Sequence, residues 1–305
     1  MSFDPDHMKQ LVAIVGPTAV GKTALAIRLA GALATEVISA DSRQFFREMS
    51  IGTAKPSPQE LALVPHHFIG SHSVAVPYNA GQFEREASQC LAHLFAEKAQ
   101  VVLVGGSGLY VSALCEGIDD MPAIPADVRQ QLNQRLAAEG LAVLQAELAA
   151  LDPVYYASVD RANPARIVRA LEVIAATGRP YSAFRQKANA QRPYRIQKIG
   201  LDLPRPLLYA RIEARVEAMM AAGLLAEVQS LWDFRHLNAL QTVGYAELFD
   251  HLAGNISLDA AVALIKQHTR NYAKRQLTWF RKDPATQWFH PEDWAGIYRA
   301  VGQIE

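Results

Sequence analysis

A chain of 305 residues, half of them hydrophobic, is long enough for two domains or for one α/β domain carrying a large insertion. Its 30 basic and 30 acidic side chains cancel, which excludes a polyanion held by global charge and confines any nucleic-acid contact to local patches. The N-terminus lacks a basic stretch followed by an apolar one, no window approaches a membrane span, and Cys90 and Cys115 offer no metal-ligand spacing. A soluble cytoplasmic protein with no membrane association is therefore expected; a monomer is the expected state, though nothing in the sequence fixes it.

In chain order, Leu11–Val15 reads as a buried strand, followed by Gly16-Pro17-Thr18-Ala19-Val20-Gly21-Lys22-Thr23 and by a helix-forming run from Ala24 to Ala30. Strand, glycine-rich loop and helix in that order form a phosphate cradle. Its backbone N–H groups turn inward, the helix start adds its positive end, Lys22 supplies a cation, and Thr23 offers a hydroxyl to Mg2+. A short strand ending near Ser39 leads into Asp41, a helix spans Asn79 to Glu97, and Val101–Val104 forms a strand running into Gly105-Gly106-Ser107-Gly108. Ligands in open parallel sheets lie beyond the strand carboxyl ends, so these three loops are expected to converge.

From Gly117 to about Arg195 the strand signal vanishes. Helical patterns at 126–138 and 141–151, and another opened by Asn163-Pro164, indicate an all-helical insertion. A strand from Ile196 to Leu203, helices through Leu231, a long helix from Leu258 to Phe280 capped by Ser257, and a last strand at Thr286–Phe289 complete the reading. The expected fold is α/β: a P-loop NTPase-like parallel sheet covered by helices, split by the insertion into 1–116, 117–195 and 196–305.

Several side chains invite chemistry. Asp41 either caps the turn after its strand or serves as a base or magnesium ligand. Ser107 either satisfies its loop or bonds a reacting group. The helix from Leu258 carries Lys266, Arg270, Lys274, Arg275, Arg281 and Lys282 with Tyr272, Trp279 and Phe280 interspersed. That pattern suits either a solvated face or a phosphate backbone with unstacked bases. Arg166 and Arg169 form a second patch, with Glu172 in pairing distance of Arg169. His66 and His67 point to opposite sides of a strand and have no ligand-spaced partner, so no metal is expected there. The strand Val101–Val104 does not end in the second magnesium-binding Asp of an ATPase. A transferase using a phosphorylated donor, or a P-loop small-metabolite kinase, remains.

The segments Gly16–Thr23, Ile38–Gln44, Ile51–Pro56, Pro65–His67, Val104–Tyr110, Arg166–Val173, Val243–Tyr245 and Ala273–Arg281 together resemble the tRNA dimethylallyltransferase (tRNA isopentenyltransferase) family. The resemblance implies transfer of a dimethylallyl group from dimethylallyl diphosphate to N6 of the adenosine 3′-adjacent to the anticodon. It implies that Gly16, Pro17, Thr18, Ala19, Val20, Gly21, Lys22 and Thr23 hold the diphosphate rather than ATP. Asp41 matches the family's general base, Ser107 stands where relatives usually have Thr, and Arg215 aligns with a diphosphate-contacting arginine. Contacts to the tRNA anticodon stem-loop map onto Asp41, Ser42, Arg43, Gln44, Ser107, Arg129, Ala165, Arg166, Ile167, Val168, Arg169, Gln241, Thr242, Val243, Gly244, Tyr245 and Ala246. Lys274 and Arg275 on the basic helix join them, and the helical insertion resembles the family's tRNA-clasping domain.

Overall fold

The computed structural model describes residues 9–185 and 192–302; the N-terminal stretch considered as a leader lies outside them. Six strands, β1 (Gln10–Val15), β2 (Val37–Ser39), β3 (His66–His67), β4 (Gln100–Val104), β5 (Arg195–Leu201) and β6 (Thr286–Phe289), pair in the order β3-β2-β4-β1-β5-β6, every pairing parallel. Every residue of β1 and β4 is buried, as the unbroken apolar runs of a sheet covered on both faces require. Register aligns the strand ends. Ile14 lies opposite Val104 and Ile199, and Ser39 opposite Val104. The loops after β1, β2 and β4 therefore leave the sheet at one edge.

Contacts divide the chain into two compact units, Met1–Cys115 with Gln191–Glu305, and Glu116–Ala190. The sequence boundaries at 116/117 and 195/196 differ from these by one residue and by five; Arg195 already belongs to β5, paired with Gln10. In the first unit the sheet carries α1 (Lys22–Ala32), α2 (Pro58–Leu63), α3 (Ala80–Glu97) and α4 (Gly108–Glu116) from its first half. Its second half supplies α9 (Arg205–Ala221), α10 (Leu224–Ser230), α11 (Ala246–Leu252), α12 (Leu258–Phe280) and α13 (Trp294–Val301). Two apolar clusters flank the sheet, one around Val12, Ile14, Leu29 and Ile199, the other around Leu11, Ala13, Phe83 and Leu103. A third packs Met49, Leu224, Leu240, Tyr245 and Ile265.

Local chemistry sets the element ends. The Asn79 side chain accepts from Gly81 and Gln82 N–H to open α3, and Ser57 and Ser257 open α2 and α12 in the same way. β5 stops at Leu201, two residues short of the sequence expectation, because Asp202 accepts the Leu203 N–H and Pro204 begins the turn into α9. The helices α2 and α13 lacked a sequence signal strong enough to assign, whereas the two-residue β3 is the strand on which His66 and His67 were placed.

Among the described residues the second unit is helical: α5 (Ala126–Glu139), α6 (Leu141–Leu151), α7 (Pro153–Tyr156) and α8 (Pro164–Thr177). Leu132, Leu144, Leu148, Ile167 and Leu171 form its core. Asn163 accepts the Arg166 N–H, with Pro164 at the first helical position. The buried Asp152 carboxylate fastens one end by accepting the Tyr155 and Ser182 N–H groups and the Ser182 hydroxyl.

Candidate active site

The glycine-rich loop has the backbone a phosphate cradle needs. Gly16 sits at φ 142°, where a Cβ would fall 2.7 Å from the Leu201 carbonyl oxygen. Ala19 at φ 65° and Gly21 at φ 110° keep the loop curled up to the start of α1. Alternating hands of this kind turn successive N–H groups toward one point. The loop borders a cavity of about 240 Å³, lined also by Asp41, Gln44, Thr53, Ala54, Gly105, Gly106, Arg215, Tyr272 and Gln276.

Cations surround its inner end. Lys22 Nζ donates to the Pro17 carbonyl at 2.7 Å. Burial pulls this amine from its ordinary 10.5 to about 7; the Asp41 carboxylate opposes the shift and the Arg215 cation adds to it. Arg215 Nη1 donates to Thr18 Oγ1 at 3.2 Å, and burial lowers its pKa against the pull of Asp41. Arg211, one helical turn earlier, donates to the Val20 carbonyl at 3.3 Å. Lys22 and Arg215 lie near enough to depress a titration, an arrangement relieved by a multiply charged anion between them.

Gln276 on α12 falls within the family-like segment Ala273–Arg281, where the sequence assigns it no role. Its Oε1 accepts the Thr18 N–H at 2.8 Å and its Nε2 donates to the Gly106 carbonyl at 2.9 Å. One buried amide thus joins the phosphate loop to the loop after β4. A Cβ at Gly106 would lie 2.4 Å from that amide nitrogen, and one at Gly105 would lie 2.5 Å from the Ala40 carbonyl oxygen. The Gly-Gly pair leaves room for the Ala40 backbone on one side and the Gln276 amide on the other.

At the other end stands Asp41. Its Oδ1 accepts the Arg43 N–H at 3.0 Å, so the turn-capping reading is met, and the residue also borders the cavity. Ser107 Oγ accepts the Ser42 N–H at 2.9 Å and donates to Ser42 Oγ at 3.0 Å. Tyr272 closes this end. Burial, then the nearby Asp41 charge, push its phenol up to about 12, with a hydrogen bond to Ser107 opposing. Arg43 lies among Tyr110, Asp41 and Tyr272, its pKa lowered by burial. Gln44 Nε2 donates to the Thr53 and Ala54 carbonyls at 3.1 and 3.0 Å.

The Thr53–Ala54 wall is itself anchored. Glu227 on α10 accepts the Ser50, Ile51 and Gly52 N–H groups and the Tyr245 hydroxyl, at 2.6 to 3.0 Å. Tyr245 is fully buried against Gly52, whose added Cβ would lie 2.5 Å from the ring. This corrects the sequence reading: the Tyr245 side chain is an internal strut and presents nothing to an RNA. Gly244 is also buried and its N–H donates to Glu247, while Gln241 is exposed and Thr242, Val243 and Ala246 are half-buried.

In the second unit the same correction applies to Ile167 and Val168, whose side chains are core. Ala165 and Arg166 are exposed. Arg129 and Arg169 both bind the buried Glu172 carboxylate, at 2.7 and 3.1 Å, so the pairing foreseen for Arg169 forms. Two guanidiniums against one carboxylate still leave a positive charge. The basic helix divides similarly: Lys266 and Arg270 pair with Glu217 and Glu213 of α9, and Arg281 with Asp202. Lys274 instead faces a groove with Leu203, Tyr209 and Leu277, and Arg275 turns toward Tyr272, its guanidinium 5.8 Å from the ring centre.

His67 pairs with Glu36 at 2.6 Å and His66 bonds the Val64 carbonyl. Among the described residues no group of three His, Cys, Asp or Glu is placed to hold a metal, and no helix is long and apolar enough to cross a membrane. Thr23 borders the cavity. With the Asp41 and Glu60 carboxylates also on the cavity lining, the oxygen donors present are of the kind Mg2+ takes.

A parallel sheet in this strand order, with a glycine-rich loop and flanking cations at its carboxyl edge, defines a protein of P-loop NTPase-like fold. Within that class the family is specific. The family model for IPP transferases matches residues 44–283, and the chain belongs to the IPP transferase family. The tRNA dimethylallyltransferase 1 of Bacteroides thetaiotaomicron is 49% identical over 285 residues, 93% of this chain and 92% of that one. The tRNA dimethylallyltransferase of Christiangramia forsetii is 48% identical, covering 92% of each. Among solved structures, the tRNA isopentenylpyrophosphate transferase of Bacillus halodurans matches with a TM-score of 0.70 and 36% identity, over 96% of this chain and 97% of that one. A eukaryotic dimethylallyltransferase acting on tRNA matches at TM-score 0.80 over 96% and 78% of the two chains; at 24% identity it speaks for the fold. Membership removes the ground for the small-metabolite kinase reading.

Proposed function

We propose that this protein is a tRNA dimethylallyltransferase, transferring the dimethylallyl group of dimethylallyl diphosphate to N6 of the adenosine 3′-adjacent to the anticodon and releasing diphosphate. The observation that carries the reading is one cavity bounded at one end by the phosphate loop, Lys22 and Arg215 and at the other by Asp41. A diphosphate leaving group needs fixed positive charge where its own charge develops, and the loop N–H groups with Lys22 and Arg215 supply it. Thr23 is the residue that would hold a magnesium ion, which would add charge neutralisation there. An exocyclic amine is a weak nucleophile that must lose a proton as it attacks, and Asp41 is the acceptor for that proton. The allylic carbon gains its bond to nitrogen as its bond to the diphosphate oxygen breaks. Ser107 and Ser42 form the hydroxyl pair beside Asp41 that orients the acceptor.

On the RNA side, Arg43, Gln44, Arg275 and the exposed positions Ala165, Arg166 and Gln241 contact the anticodon stem-loop, with the guanidiniums of Arg129 and Arg169 adding positive charge. The target base leaves its stack to reach the cavity, at a cost of a few kcal/mol that is lower in a loop than in a duplex. The setting is the cytoplasm, with the protein acting as a monomer. Incubation with unmodified tRNA and labelled dimethylallyl diphosphate, without ATP, tests the reading. Label is expected in the tRNA, as N6-modified adenosine by mass spectrometry; an unlabelled tRNA refutes it. Asp41→Asn, which keeps the cap acceptor, is expected to lower kcat by about 10²- to 10⁴-fold with little change in tRNA affinity.

A further inference from the structure

Along α12, residues seven apart share a face, because 3.6 residues make a turn. Tyr272 borders the cavity; Trp279, seven residues and about 10 Å further along the same face, lies outside it. Trp279 is 42% exposed, unusual for the largest side chain, yet it is not free to swing. Its indole packs directly against Gly108, where an added Cβ would sit 2.3 Å from ring atoms. Gly108 directly follows Ser107, so the indole stands beside the mouth of the acceptor end. Leu109, 52% exposed, extends the apolar patch.

Two cations neighbour Trp279 along the chain. Arg275 lies between the two aromatics at four residues before Trp279, and Lys282 comes three residues after it. Neither is engaged by a carboxylate among the described residues, in contrast to Lys266, Arg270 and Arg281. A rigid exposed indole flanked by two uncommitted cations is what a single-stranded nucleotide requires: a plane for the base and cations for the phosphates on either side.

We propose that Trp279 is a stacking platform for the nucleotide next to the acceptor adenosine, with Arg275 and Lys282 on the adjoining phosphates. The platform rests on the tRNA reading of the site and adds a specific role to it. Holding the neighbouring base outside the cavity keeps the strand unstacked at the point where the target base must turn inward. Gly108 serves this platform, since any side chain there displaces the indole.

A thermodynamic cycle tests it. Binding of an anticodon stem-loop RNA is measured for the wild type, Trp279→Ala and Trp279→Phe, each with intact RNA and with RNA abasic at one or the other neighbour of the acceptor adenosine. Trp279→Ala is expected to weaken binding of intact RNA by roughly 5- to 100-fold, with Trp279→Phe restoring most of it. With the correct neighbour abasic, the alanine substitution is expected to cost less than about twofold. The KM for dimethylallyl diphosphate is expected to stay unchanged. Equal losses on intact and on both abasic RNAs, or a raised donor KM, overturn the stacking role while leaving the enzymatic reading standing. Absence of prenyl transfer by the wild type strikes the reading beneath it instead.

Discussion

Lys22 carries the sharpest consequence of the site's electrostatics. In the ligand-free protein, burial and Arg215 bring its amine down to about 7 despite Asp41. A diphosphate in the cradle restores the cation, so ligand binding above pH 7 must take up a proton. At pH 8 about a tenth of the free amine is protonated, so affinity is reduced about tenfold, and at pH 9 about a hundredfold. Inorganic diphosphate titrates too, and the comparison variant Lys22→Met removes that contribution. The assay is calorimetric binding of inorganic diphosphate from pH 6 to 9 for both proteins, in buffers of different ionisation enthalpy. The ratio of the variant's Kd to that of the wild type is expected to be flat below pH 7 and to fall by about a factor of ten per unit above it, with proton uptake above pH 7 larger in the wild type than in the variant. Asp41→Asn removes the charge that opposes the shift and moves the break below pH 7. A ratio constant to pH 9 refutes the reasoning, because Lys22 would then be charged in the empty cradle. The same shift bears on stability. Between about pH 7 and 10.5 the unfolded chain binds more protons at this position than the folded one, so the ligand-free protein gains stability as pH rises through that window and Lys22→Met lacks the gain.

Gln276→Leu leaves the Thr18 N–H and the Gly106 carbonyl without their buried partner, and about 1–3 kcal/mol of stability is expected to be lost for each, read by denaturant unfolding, with weaker diphosphate binding. Glu227→Gln turns an amide N–H₂ toward backbone N–H donors; a lower Tm is expected, together with a raised KM for donor and RNA as the Thr53–Ala54 wall loosens, whereas Tyr245→Phe removes one hydrogen bond and costs about 1 kcal/mol. Gly105→Ala drives a Cβ into the Ala40 carbonyl and is expected to lower Tm and abolish transfer. Gly31→Ala, in α1 with nothing within 4 Å, is expected to stabilise by about 0.5–1 kcal/mol; destabilisation there argues against the helical geometry of α1.

The glycine-rich run, the buried strands of the parallel sheet and the helix starts at Asn79, Asn163 and Ser257 were legible because each rests on neighbours in sequence: apolar periodicity, a short polar side chain before a helix, glycines where φ turns positive. Asp41 and Ser107 were legible as residues just past strand ends whose edge the parallel topology fixes, and Lys22 as the residue that closes the glycine-rich run and opens α1. Long-range contact decided the rest. Gln276 and Glu227 act on backbone 258 and about 175 residues away in sequence, and no local pattern announces such a partner. Tyr245, Ile167 and Val168 looked like surface contacts and proved to be core, because a side chain's direction is set by what packs against it. The basic helix read as one stripe; α9 claims two of its cations and Asp202 a third, and only the fold separates these from Arg275 and Lys282, which remain uncommitted beside Trp279. Sequence determined which chemistry this edge of the sheet carries, and tertiary structure decided which side chains are free to perform it.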